Sequence, residues 1–212
     1  MSIWDDTLRY KNMVWTRTYK CASTYSLHLL KSLGFEKTNI DDVTKDDKIF
    51  TMIREPHTRR IKGIAECLFE YNCIDKLLDE KFLNLIKDLT VLDQHTLPYS
   101  VQYKNFKNRI LFIPIDCDKM DLDSILKSFF KVHCPELVDK EWRQDLPREG
   151  RYDDYHNGPT IRGLRPRVHE QLKNHLNDEI GDLMLKEDSE IWKSACDMIS
   201  NNLDKYITYK FK

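Results

Sequence analysis

The chain has 212 residues, 41% hydrophobic and 33% charged, with a formal net charge of -1. This length suits one domain spanning residues 1–212 with a sizeable core, and the composition excludes a disordered chain. The near-neutral balance argues against a protein that coats nucleic acid, so no nucleic-acid partner is expected.

Met13 to Tyr19 is rich in β-branched and aromatic residues (Val14, Trp15, Thr16, Thr18, Tyr19) and predicts a buried strand. Tyr25, Leu29, Leu30 and Leu33 recur at helical spacing, predicting a helix that Ser23 or Thr24 caps and Gly34 stops. Between strand and helix lies the turn Lys20-Cys21-Ala22. Free amides at a helix start, the positive end of its dipole, the Lys20 charge, the Ser23 and Thr24 hydroxyls and a small Ala22 suit an anionic group, as in a P-loop-like phosphate-binding turn. An ordinary strand-to-helix turn has the same features. The pattern GxxxxGK[ST] is absent, since the first glycine is Gly34, which argues against an ordinary P-loop NTPase.

Glu36 to Asp47 reads as a polar link, and Lys48 to Ile53 as a second strand ending in Arg54-Glu55-Pro56, where proline opens a helix. Ile61, Ile64, Ala65, Leu68 and Phe69 give that helix an apolar stripe. Arg59 and Lys62 lie off the stripe and with Arg54 can make one basic cluster, whereas Arg60 reads as solvated. Ile74 to Leu89 predicts a further amphipathic helix for packing, followed by the loop Asp93-Gln94-His95-Thr96-Leu97-Pro98-Tyr99. A third strand, Arg109 to Ile115, precedes a helix from Asp121 to Val132. Glu141 to Gly163 is a long polar segment of the kind that forms functional lids, and two helices, Arg165 to Leu185 and Ser189 to Tyr206, close the chain. Strands alternating with helices predict an α/β fold, a three-layer arrangement with a mostly parallel sheet, and put Lys20 and Arg54 at the strand ends where ligands bind.

No apolar run is long enough to span a bilayer, and the polar start Met1 to Asp6 lacks a signal-peptide core, so a cytoplasmic protein without a membrane partner is expected. Six cysteines form no CxxC pair, which signals free thiols and no zinc framework. No metal is expected.

Lys20-Cys21-Ala22-Ser23-Thr24 resembles the 5′-phosphosulfate loop of sulfotransferases, and Arg54-Glu55-Pro56-His57-Thr58-Arg59 their 3′-phosphate motif RDPxxR. Asp93-x-His95-x-x-Pro98 is similar to the DxHxxPQ loop of the carbohydrate-modifying branch, and His156-Asn157 with the helix behind it to that branch's closing segment. The resemblance implies a sulfotransferase that uses 3′-phosphoadenosine 5′-phosphosulfate and a carbohydrate or other small acceptor hydroxyl. It implies Lys20 at the 5′-phosphate and the sulfuryl group, backbone and hydroxyl contacts from Cys21, Ala22, Ser23 and Thr24, and Arg54 at the 3′-phosphate. Lys62 stands where the family has a serine, and can bind phosphate as a point charge. Tyr19 replaces a proline, Tyr25 a small hydroxyl residue, Glu55 an aspartate and Tyr99 a glutamine. His95 is the candidate base, since an imidazole titrates near neutrality, or else a histidine that orders its loop. A small-molecule kinase and a non-catalytic nucleotide-binding module are the competing readings; turnover separates the last.

Overall fold

The structure, a computed structural model, describes residues 6–88, 93–106, 109–115, 121–142, 159–176 and 185–201. The helical elements are α1 (Ser23–Ser32), α2 (Pro56–Glu70), α3 (Glu80–Asp88), α4 (Tyr99–Gln102), α5 (Leu122–His133), α6 (Pro159–Leu176) and α7 (Lys186–Asn201). The strands are β1 (Thr7–Tyr10), β2 (Met13–Thr16), β3 (Glu36–Thr38), β4 (Lys48–Ile53) and β5 (Ile110–Pro114). Most of the expected lid, residues 143–158 with His156-Asn157, lies outside the described residues, as do residues 177–184 and 202–206 of the expected closing helices.

The protein is α/β, with a mixed sheet in the order β3-β1-β2-β4-β5. β2, β4 and β5 pair in parallel, as strands separated by helical crossovers do. The expectation of a mostly parallel sheet is corrected by β1 and β3, which pair antiparallel at the other side. Lys11, at φ 52°, turns β1 tightly into β2, and β3 comes from the stretch read as a polar link. β3 spans only three residues, two of them charged, as suits an edge strand.

Side chains alternate across a strand, so Trp15, Phe50 and Met52 share one face and Thr16 and Thr51 the other. Phe50 meets Phe129 and Phe130 of α5 at ring-centroid distances of 5.0 and 5.8 Å. Leu29 and Leu30 of α1 and Leu33, its C-cap, are fully buried in the same core. Each such aliphatic or aromatic side chain contributes roughly 1.5–3 kcal/mol of burial. On the Thr16 face, Thr18 Oγ1 and Thr51 Oγ1 lie 2.7 Å apart, and both bond the buried Tyr103 hydroxyl. A second cluster holds Ile64, Leu68 and Phe69 of α2 against Leu83 and Ile86 of α3 and Val168 and Leu172 of α6.

Local chemistry explains the boundaries. β2 ends at Thr16, short of the expected Tyr19, because Thr18 spends its hydroxyl on Thr51 and Tyr103 while the backbone turns. α1 ends in a Schellman motif, Phe35 N–H donating to Leu30 O (2.9 Å) and Gly34 N–H to Lys31 O (3.0 Å), with Gly34 at φ +95°. The helix expected from Ile74 to Leu89 is divided at Asp79, whose carboxylate accepts the Lys81 amide at 2.9 Å and starts α3 afresh. Asp121 caps α5 by accepting the Ser124 amide at 2.9 Å.

Candidate functional site

Lys20 and Arg54 follow the carboxyl ends of the neighbouring parallel strands β2 and β4. The backbone that carries them is unusual: Lys20 and Ala22 both adopt left-handed conformations, at φ 63° and 54°. Ala22, not Ser23 or Thr24, is the N-cap of α1, and its methyl group offers no acceptor to the first amides of the helix. By contrast α2 is capped by the Glu55 carboxylate, which accepts from His57 N (3.0 Å) and Thr58 N (2.7 Å). α4 uses the buried Asp188 of α7, which accepts from Tyr99 N (2.7 Å) and Ser100 N (2.9 Å).

One side chain ties the two motifs together. The buried Tyr99 hydroxyl accepts the Arg54 amide at 2.9 Å, donates to Arg54 O at 2.8 Å, and lies 3.3 Å from Cys21 Sγ. Burial pushes both the Tyr99 phenol and the Cys21 thiol up, so both stay protonated at neutral pH. The Cys21 side chain is buried in the core beneath the turn.

Arg59 was grouped with Arg54 and Lys62 as a basic cluster, but it is 3% exposed and works as an internal strut. Its Nε donates to Tyr19 O (3.1 Å), its Nη1 to Leu97 O (2.6 Å), and its guanidinium lies 4.6 Å from the Tyr99 ring centre. Arg60, read as solvated, is also buried, with Nη2 3.5 Å from Ile86 O. The helix is wrapped by α3 and α6 on that side, so an off-stripe position is not a solvent position.

Lys20 Nζ sits 3.0 Å from Glu66 Oε2, and Arg165 Nη1 of α6 sits 2.8 Å from the same oxygen. Burial pulls the Lys20 ammonium below the ordinary lysine value, against the attraction of Glu66. Burial would raise Glu66, yet Lys20 and Arg165 hold it down to about 2. Two cations thus share one carboxylate. Glu66 was not singled out in the sequence; the available signal was a charged residue inside the run Gly63 to Phe69, every member of which is buried.

His95 is 3% exposed, with Nδ1 2.7 Å from Asp93 Oδ2 and its ring edge-on to Tyr19 at 4.8 Å. Its loop is pressed against α2 at Gly63, where a Cβ would lie 2.5 Å from His95 O. The geometry matches a histidine that orders its loop.

Lys62 lines a groove of about 680 Å³ between α2 and α6 with His57, Arg60, His169 and Lys173, opposed by Glu55 and Glu170. Arg60, Lys62 and Lys173 outnumber these two carboxylates, which makes the groove weakly electropositive. His169 is held neutral to lower pH by burial and by Lys62, Arg165 and Lys20, which also locates the groove beside the Lys20 cluster. Tyr25, at the other side of the turn, bonds Asp123 of α5 and walls a smaller cavity of about 190 Å³ at Ala22.

The free thiols expected of the cysteines are found at Cys21, Cys67, Cys73, Cys134 and Cys196; Cys117 lies outside the described residues. Among the described residues no helix is long and apolar enough to cross a membrane. Neither a family model, nor a curated protein, nor a solved structure matches this chain.

Proposed function

We propose that the chain is a sulfotransferase, moving a sulfuryl group from 3′-phosphoadenosine 5′-phosphosulfate to a hydroxyl of a carbohydrate or other small acceptor. The observation that carries this reading is the adjacency of the Lys20 turn and Arg54 at the ends of β2 and β4, joined through the Tyr99 hydroxyl. At that junction the parallel strands set the uncapped start of α1 beside Arg54, a cationic side chain, as an anionic ligand requires. The left-handed Lys20 and Ala22 and the uncapped start of α1 make a P-loop-like cradle for the 5′-phosphate. Helix α5 on the Phe50 face and Tyr103, which follows α4, on the Thr51 face of the sheet support the three-layer arrangement that such a cradle needs.

In this reading the amides of Ala22, Ser23 and Thr24 hold the 5′-phosphate, Arg54 and Lys62 take the 3′-phosphate, and the electropositive groove admits the acceptor. Lys20 stabilises the charge that grows on the leaving phosphate as the sulfur–oxygen bond breaks. It must leave Glu66 to do so, and the second cation on that carboxylate, Arg165, makes the transfer less costly. The same Lys20–Glu66 contact favours a second reading, a non-catalytic nucleotide-binding module whose lysine is structural.

Calorimetric titration with adenosine 3′,5′-bisphosphate, with ADP and ATP plus magnesium as controls, tests the donor site. Binding that requires the 3′-phosphate is expected. Absent binding, or a preference for ATP, overturns the assignment. Turnover with the phosphosulfate donor then separates the enzyme from the module.

A further inference from the structure

We propose that Cys67, Asp93 and His95 form a binding site for a divalent transition metal, zinc above all, between α2 and the loop that precedes α4. The Cys67 sulfur, an Asp93 carboxylate oxygen and a His95 ring nitrogen all lie within 4.8 Å of one another. Ligand atoms around tetrahedral zinc stand about 3.5 Å apart, given bond lengths of 2.0–2.3 Å, so the three need small side-chain movements only. Sulfur, imidazole nitrogen and carboxylate oxygen are the three donor types that zinc accepts, and this mixture suits neither calcium nor magnesium. A thiolate and a carboxylate cancel the charge of a divalent ion, so the filled site is neutral in a region where Cys67 is 5% and His95 3% exposed.

The backbone holds this arrangement in place. Gly63 stands one helical turn before Cys67 on the same face, and its missing Cβ lets the His95 carbonyl reach the helix. Asp93 Oδ1 accepts the His95 amide at 2.7 Å, which orients the carboxylate and leaves Oδ2 toward His95 Nδ1 at 2.7 Å. Tyr19 packs edge-on against the imidazole. The ligands are therefore oriented before any metal arrives.

Loading exchanges three of the six water ligands of the aquo-ion for sulfur, oxygen and nitrogen, and two more waters leave as the metal becomes four-coordinate. The Cys67 thiol proton passes to solvent, the imidazole proton moves from Nδ1 to Nε2, and no oxidation occurs. The fourth metal position keeps a water. This site takes His95 out of the role of candidate base and is otherwise independent of the sulfuryl-transfer reading.

The test uses the full chain, stripped with a chelator and titrated with cobalt(II), which reports thiolate coordination by a charge-transfer band in the near ultraviolet. The expected result is a saturable band, displaced by zinc, with about one proton released per metal in calorimetry across buffers. Cys67→Ser should abolish the band, Asp93→Asn and His95→Gln should weaken binding at least tenfold, and Cys73→Ser should leave it intact. Absence of the band in the parent protein overturns the proposal, as does a band that survives Cys67→Ser. Should Cys67→Ser not fold, undiminished affinity in Asp93→Asn overturns it in the same way.

Discussion

Glu66→Gln is the substitution that tests the electrostatic account of the site most directly. Its side chain keeps its volume and loses its charge, so Lys20 and Arg165 lose the carboxylate they share in a partly buried position. Glu66 titrates at about 2 against an ordinary 4.5, a difference equivalent to about 3 kcal/mol of preference for the charged form. Stranding buried charges by removing their partner costs roughly 3–5 kcal/mol. Lys20 is 15% exposed and can reach water, so we expect a loss of about 2–3 kcal/mol in urea unfolding at neutral pH, or roughly 4–12 °C in Tm. Because the folded-state value of Glu66 is depressed, its contribution is complete above about 4.5 and is lost as pH falls toward about 2. The gap between parent and variant should close over that window. Lys20→Met should cost much less, about 1 kcal/mol or under, because Arg165 still neutralises Glu66 and the burial penalty on the ammonium disappears. Equal losses in the two variants, or a gap that stays constant from about pH 5 to 3, would refute the picture of one carboxylate serving two cations.

Gly63→Ala should destabilise by about 1–3 kcal/mol in urea unfolding, although alanine is the better helix former by about 1 kcal/mol, because its Cβ meets His95 O; a stabilised variant would mean the loop is not pressed on α2. Arg54→Ala should weaken binding of adenosine 3′,5′-bisphosphate by about 1.5–3 kcal/mol in calorimetry, and equal affinity would remove Arg54 from the site. Tyr99→Phe leaves the Arg54 backbone and Cys21 without their buried partner and should cost about 1–3 kcal/mol of stability together with nucleotide affinity. His133, lowered to about 4 by burial and Lys48, should not titrate by proton NMR above about pH 5. The unfolded chain takes up that proton from about 6.5 downward, so His133 lowers stability as pH falls from 6.5 to about 4.

What could be read from the sequence follows from how far each signal reaches along the chain. The parallel core, β2, β4 and β5, was legible because each strand is a short β-branched and aromatic run bounded by a change to helical period. β1 and β3 were not, because Thr7–Tyr10 and Glu36–Thr38 carry charged residues and only one apolar aliphatic side chain between them, Leu8. Their strand character comes from pairing with each other and with β2 across the sheet. The site divides in the same way. Lys20 and Arg54 lie at strand ends that a pattern of period two and period 3.6 locates, so their adjacency was foreseeable. Their neighbours were not, since Glu66 meets Lys20 from 46 positions away and Arg165 meets Glu66 from 99, as the numbering shows. Periodicity also misjudged α2, where Arg59 and Arg60 lie off the apolar stripe and are buried all the same. A stripe predicts which face meets the first partner; α2 has more than one, the loop at Gly63, α3 and α6, and each claims a face that looks polar in the sequence. The charges gathered there, Glu66 among them, are the cost of packing a polar helix centrally, and they are also what gives the Lys20 turn an electrostatic setting that a ligand can shift.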